Sequence, residues 1–105
     1  MKAQWLLVSA ALLAVPAVAA DQAVVMELAK KSGCLACHSL DHKMVGPAWN
    51  DVGKKYAGDA EAEAKLIVKV KKGGKGVWGE VPMPGNVTVK NDDIKTLVQF
   101  VLSLK

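Results

Sequence analysis

The sequence predicts a small all-α domain of about four short helices, on three observations. Apolar residues recur at helical spacing in four stretches. Glycine or proline punctuates the intervals between them. No segment alternates apolar and polar residues well enough to read as a strand.

A first helix is expected over Ala23 to Ser32, with Val24, Val25, Leu28 and Ala29 on its apolar side. Lys30 and Lys31 suit the negative end of its dipole, and Gly33 suits the residue that ends it. Pro47 opens a second helix at its first turn, with Trp49, Val52 and Tyr56 at i, i+3 and i+7, and Gly53 keeps it short. Asp59 is the expected N-cap of a third helix reaching about Lys71. Glu61 and Glu63 lie in its early turns, Leu66, Ile67 and Val70 form its stripe, and Gly73-Gly74 stops it. Asn91 is expected to cap a last helix, with Asp92 and Asp93 in the first turn and Ile94, Leu97, Val98 and Val101 on its inner face. From Gly73 to Lys90 the Gly and Pro content excludes regular structure, and long loops in compact domains are usually functional.

Ahead of these helices, Lys2 and the apolar run Trp5 to Ala20 have the layout of a secretory signal. Leu6, Leu7, Val8, Leu12, Leu13 and Val15 form the apolar region, Pro16 interrupts it, and Val18-Ala19-Ala20 supplies small residues for cleavage. An uncleaved anchor is the alternative. A span needs about 20 predominantly apolar residues, and Pro16 with the alanine-rich end argues against one. Residues 1–20 are therefore read as a cleavable leader and residues 21–105 as a single exported domain in the periplasm.

The 14 basic residues are all lysines, set among 10 acidic residues for a net charge of +4. Scattered charge of this kind in an exported chain argues against nucleic acid and fits a face that steers toward acidic proteins. Only two cysteines are present, three positions apart, so a disulfide between them would close a very short loop and stabilise little. A domain this small benefits from another organiser, and a large apolar cofactor would serve.

Cys34-Leu35-Ala36-Cys37-His38 is the five-residue haem c attachment pattern. Two thiols at that spacing add to the two vinyl groups of one porphyrin, and His38 is then placed to ligate the iron. Other readings are a redox dithiol, which expects a βαβ context that is missing here, and half a zinc site, which His38 and His42 complete poorly. For the sixth ligand, a methionine raises the reduction potential in electron carriers. Met26 reads as core of the first helix, and Met44, six residues after His38, also reads as core. Met83 lies 45 residues after His38 in Val81-Pro82-Met83-Pro84-Gly85-Asn86, where two prolines restrict the backbone around a soft ligand. Met83 is the expected axial partner.

With Cys34–His38, Met44-Val45-Gly46-Pro47-Ala48, Lys72-Gly73-Gly74, Gly76-Val77-Trp78-Gly79 and Val81-Pro82-Met83-Pro84 in place, the chain resembles the short class I cytochromes c of bacteria over residues 21–105. That resemblance implies the cytochrome c fold and a non-enzymatic electron carrier with one covalent haem c. It implies a monomer that works with periplasmic redox proteins: nitrite reductase, oxidase or peroxidase as acceptor, and a membrane quinol-oxidising donor. It also implies that the Pro47 carbonyl accepts the Nδ1 proton of His38, that Trp78 donates its indole N–H to a haem propionate, and that the Asn86 amide approaches the axial sulfur. Lys69 stands where relatives carry an arginine near the inner propionate, and it offers a charged donor without the bidentate fork. Trp49 is expected to pack on the porphyrin. Lys31, Lys43, Lys54, Lys55 and Lys75 are expected to ring the exposed haem edge. The rival classes are a haem enzyme with an open iron and a dithiol protein without haem.

Overall fold

Residues 17–104 are described by the computed structural model, with side chains from residue 22 onward. Helices α1 (Ala17–Lys31), α2 (Trp49–Lys55), α3 (Ala62–Lys72) and α4 (Asn91–Ser103) follow in order, with a 3₁₀ turn at Cys34–Ala36 after α1. No strand occurs among the described residues; one isolated antiparallel bridge joins Gly74 to Met83. None of these helices is long and apolar enough to cross a membrane. Most of the expected leader, residues 1–16, lies outside the described residues, and residues 17–20 lie within α1.

The last helix is the platform. Its apolar repeat buries Ile94, Leu97, Val98 and Val101, and α1, α2 and α3 all pack against it. Val25 and Ala29 of α1 and Trp49 and Val52 of α2 complete the cluster with Leu97, Phe100 and Val101. Phe100 falls outside the expected stripe, yet it is buried and meets Trp49 edge-on with ring centroids 6.3 Å apart. Such edge-to-face pairs add about 0.5–1.5 kcal/mol beyond the area they bury.

Several boundaries differ from expectation for local reasons. Helix α1 already includes residues 17–22, ahead of the expected Ala23, and Val24 is 70% exposed because the contact of α1 with α4 centres on Val25 and Ala29, about 100° around the axis. Pro47 stays outside α2: Ala48 is the extended residue before it, and the first helical amides find carbonyls elsewhere. Trp49 N–H donates to the Ser39 carbonyl and Asn50 N–H to the Leu40 carbonyl, both at 2.9 Å, so the segment after His38 caps α2. Helix α3 starts at Ala62, later than Asp59 suggests. Asp59 instead turns the chain just ahead, its carboxylate accepting the Glu61 N–H at 2.9 Å and the Lys65 ammonium at 3.4 Å. Asn91 is the first residue of α4 and not its cap, because its side-chain oxygen accepts the Lys71 ammonium at 2.7 Å while extended Lys90 leads in. Met44, expected in the core, is 41% exposed.

Gly53 explains why a poor helix former sits in the middle of α2. A Cβ there would stand 2.7 Å from the Val101 carbonyl oxygen and collide with that of Leu104, so only glycine lets α2 and α4 approach this closely. Gly53→Ala is expected to lower stability by about 2 kcal/mol, the range of overpacking, read as a lower denaturant midpoint. The Glu61 amide, and then the Lys65 ammonium, hold the Asp59 carboxyl below its usual value. A depressed folded value stabilises the fold above the unfolded carboxylate pKa of about 3.9 and loses that contribution as pH falls through the folded value. The melting-temperature gap between wild type and Asp59→Ala should therefore be full at pH 7 and narrow below about pH 4.

Candidate functional site

Gly33, with φ of 81°, ends α1 and turns the chain into the 3₁₀ turn that carries the two cysteines. The Cys34 carbonyl accepts the N–H of Cys37 at 3.2 Å and of His38 at 3.0 Å. That tight turn brings Cys34, Cys37 and His38 to the wall of one cleft. The cysteines are not bonded to each other, and burial pushes the Cys34 thiol up against a smaller opposing backbone hydrogen bond.

His38 is held on three sides. Its Nδ1 lies 2.8 Å from the Pro47 carbonyl oxygen. A carbonyl only accepts, so Nδ1 carries the proton and Nε2 is left as the ring nitrogen with a lone pair. The Trp49 ring stacks on the imidazole at 5.7 Å between centroids and 28° between planes. Gly46 also lies against the ring: a Cβ there would be 2.6 Å from Cε1 and 3.0 Å from Nδ1. The Gly46 N–H in turn donates to the Cys37 carbonyl at 2.8 Å, closing the loop between the cysteine motif and α2.

Met83 reaches the same cleft from the far loop, half-buried. Its N–H donates to the Gly74 carbonyl at 2.8 Å and its carbonyl accepts the Gly74 N–H at 3.0 Å. Proline on both sides removes two competing donors and narrows the backbone. Asn86 fastens the loop to α3, since its backbone N–H at 3.0 Å and its side-chain amide at 3.1 Å both donate to the Val70 carbonyl. The amide is thus directed at α3 backbone, and Asn86 is not part of the cleft wall. Trp78 is on the wall and 43% exposed.

The cleft measures ≈ 290 Å³, and its apolar floor includes Trp49, Val52, Leu97, Val98 and Val101. Of the lysines singled out from the sequence, Lys43, Lys69 and Lys75 line it, Lys55 sits over the Trp78 ring, and Lys31 and Lys54 are not on its wall. The α4 residues were legible as core but not as the wall of a site; one helix serves both. Gly46 carries no chemistry of its own, and only the space left by the His38 ring explains it. His42 lies outside the cleft, exposed, with Nδ1 2.9 Å from the Asp41 carboxylate, which His42 and then Ser39 hold below its usual value.

Two thiols at a three-residue spacing, an imidazole with Nε2 left unprotonated and a thioether, all on one apolar cleft, are the side-chain types that a covalently attached haem would use. The residues present fit that group. Gly46→Ala should push the His38 ring off the Pro47 carbonyl and destabilise the fold by about 1–3 kcal/mol. Loss of the slowly exchanging Nδ1 proton resonance together with a lower denaturant midpoint would establish it.

Comparison with known proteins gives a consistent match. The cytochrome c family model matches residues 25–105. Cytochrome c-551 of Pseudomonas aeruginosa is 51% identical over 100 residues, covering 95% of this chain and 92% of that protein. Cytochrome c-552 of Nitrosomonas europaea is 44% identical over the full length of both chains. The crystal structure of wild-type Nitrosomonas europaea cytochrome c552 superposes with a TM-score of 0.74 at 48% identity, covering 76% of this chain and 99% of that one.

Proposed function

The chain belongs to the cytochrome c family, and on that premise we propose a periplasmic one-electron carrier whose haem is bound through Cys34 and Cys37 and ligated by His38 and Met83. Membership brings one covalent haem c and the role of electron carrier. The observation that carries the finer reading is the convergence of Cys34, Cys37, His38 and Met83 on one apolar cleft, with Pro47 fixing the imidazole tautomer. When bound, the haem supplies a one-electron iron couple.

The chain's own residues supply the rest. Pro47 and Trp49 hold the His38 ring so that Nε2 keeps one orientation, and the Pro47 carbonyl makes the imidazole a stronger donor. The Gly74 hydrogen bonds fix the Met83 backbone, so the Met83 and His38 side chains would move little when the bound group changes charge. Leu97, Val98 and Val101 exclude water from the floor. Trp78 is the proposed donor to a haem carboxylate, and Lys69, on the cleft wall, the proposed cation beside one. Asn86 acts through the loop, clamping it to Val70.

The leader-like N-terminus supports export. Lys43 and Lys75 on the cleft wall, with exposed Val45, Val77 and Val81 beside them, support brief docking of acidic redox proteins. The acceptors proposed are a nitrite reductase, oxidase or peroxidase, and the donor a membrane quinol-oxidising complex. A peroxidase-type enzyme is disfavoured because His42 is paired with Asp41 outside the cleft, and the cleft carboxylate Glu80 is paired with Lys75.

Met83→Ala tests the ligand assignment. The purified haem protein should lose its methionine-to-iron charge-transfer band and its reduction potential should fall. A visible spectrum identical to wild type would refute Met83 as ligand.

A further inference from the structure

The loop that carries Met83 is fastened at its base and reaches out at its tip. Reciprocal hydrogen bonds join Gly74 to Met83, Lys75 and Glu80 pair at 3.6 Å, and the Gly76 N–H donates to the Gly79 carbonyl at 2.8 Å. The segment is thus a small flap with Val77 and Trp78 at its turn. Among the described residues, no hydrogen bond joins residues 75–82 to another element. Trp78 and the residues around it are exposed, so apolar burial alone fixes the tip weakly.

One side chain bridges the gap. The Lys55 ammonium, at the end of α2, lies 5.7 Å from the Trp78 ring centroid and 5.9 Å from that of Tyr56. Both distances fall within the reach of a cation–π contact, about 6 Å. Tyr56 and Lys55 belong to the end of α2, whereas Trp78 belongs to the flap, and both rings line the cleft. An ammonium held by two ring faces therefore ties the flap to the helix packed on α4. A cation over a ring occupies its face and leaves the in-plane indole N–H free to donate elsewhere.

We infer that Lys55 is a positioning residue, its ammonium latching the tip of the Met83 loop to α2 through the Tyr56 and Trp78 rings and setting the plane in which Trp78 presents its indole N–H. The direction of that N–H toward a haem carboxylate rests on the function proposed above; the latch itself involves only the chain's own residues. The cleft-wall lysines Lys43, Lys69 and Lys75 do not substitute for it: among the described residues it is the Lys55 ammonium that lies over the Trp78 ring, Lys75 is engaged by Glu80 within the flap and Lys69 comes from α3 beneath Gly74.

The test is amide hydrogen exchange by NMR on haem-loaded wild type, Lys55→Gln and Lys55→Arg. Cation–π contacts at exposed sites correspond to roughly two- to five-fold each in an opening equilibrium. Exchange at the Gly76 amide should rise roughly two- to five-fold in Lys55→Gln, since the Trp78 contact is the one that crosses to the flap, with a smaller change at the Gly74 amide in the base. Lys55→Arg should return Gly76 close to wild type, because a guanidinium also stacks on aromatic faces. A Gly76 rate in Lys55→Gln equal to wild type, or a Lys55→Arg protein as loose as Lys55→Gln, would overturn the latch. A wrong axial assignment would surface in the Met83→Ala spectrum instead and leave this comparison decisive.

Discussion

The hydrogen bond from His38 Nδ1–H to the Pro47 carbonyl ties the cysteine motif to the helix that follows, and much of the domain is arranged to keep it. The same short stretch carries the Cys37 carbonyl to the Gly46 amide and the Ser39 and Leu40 carbonyls to the first amides of α2. Each bond satisfies a backbone group that the absence of regular structure would leave bare, and α2 needs no side-chain cap as a result. Residues 37–50 therefore behave as one closed loop with the imidazole as its keystone. Trp49, the first residue of α2, stacks on that imidazole and meets Phe100 in a T-shaped contact, so the loop is locked to α4 through consecutive aromatic contacts.

Helix α4 connects the two faces of the site. It contacts all three other helices, and Leu97, Val98 and Val101 belong both to the buried core and to the cleft wall. Apolar surface facing the cleft is a poor outer face for a helix in water, and a flat apolar cofactor lying on it removes that cost. Folding and cofactor binding thus draw on the same side chains. That overlap suits a small domain without disulfide support, whose own core is limited by its surface-to-volume ratio.

Much of this was legible in the sequence where one local rule acted alone. The apolar repeat of α4 and the glycine stops of α1 and α3 follow from periodicity and backbone freedom. The Cys34–His38 motif and the Pro-flanked Met83 follow from ligand chemistry, and the structure brings all four side chains to one cleft. Legibility failed where partners distant in sequence compete for the same group. Asn91 has the chemistry of a cap, but Lys71, twenty residues earlier, engages its oxygen. Pro47 is a fitting first helical residue, but its carbonyl is committed to His38. Gly53 and Gly46 weaken any local reading, and each is explained only by what presses against it: helix α4 in one case, the His38 ring in the other. Met44 reads as core by composition, yet the turn closed by its N–H to the Gly46 carbonyl carries it outward.

The two sides of the cleft, at His38 and at Met83, are built unequally, and the difference follows from chain topology. His38 is adjacent to both attachment points and sits inside a loop closed by backbone bonds, so its position is settled by short-range geometry. Met83 must be delivered across a long interval, and its loop is fixed at three separate places: the Gly74 bridge, the Val70 carbonyl that receives two donors from Asn86, and the Lys71–Asn91 bond where the loop rejoins α4. These fastenings all attach to α3 or its continuation, which makes α3 the mount for the Met83 side as α2 is for the His38 side. Beyond them the flap carrying Trp78 extends over the mouth of the cleft with little burial. Local opening free energy falls where buried contacts and shared hydrogen bonds are few. The His38 side is therefore the rigid reference of the cleft, and local opening is concentrated at the flap.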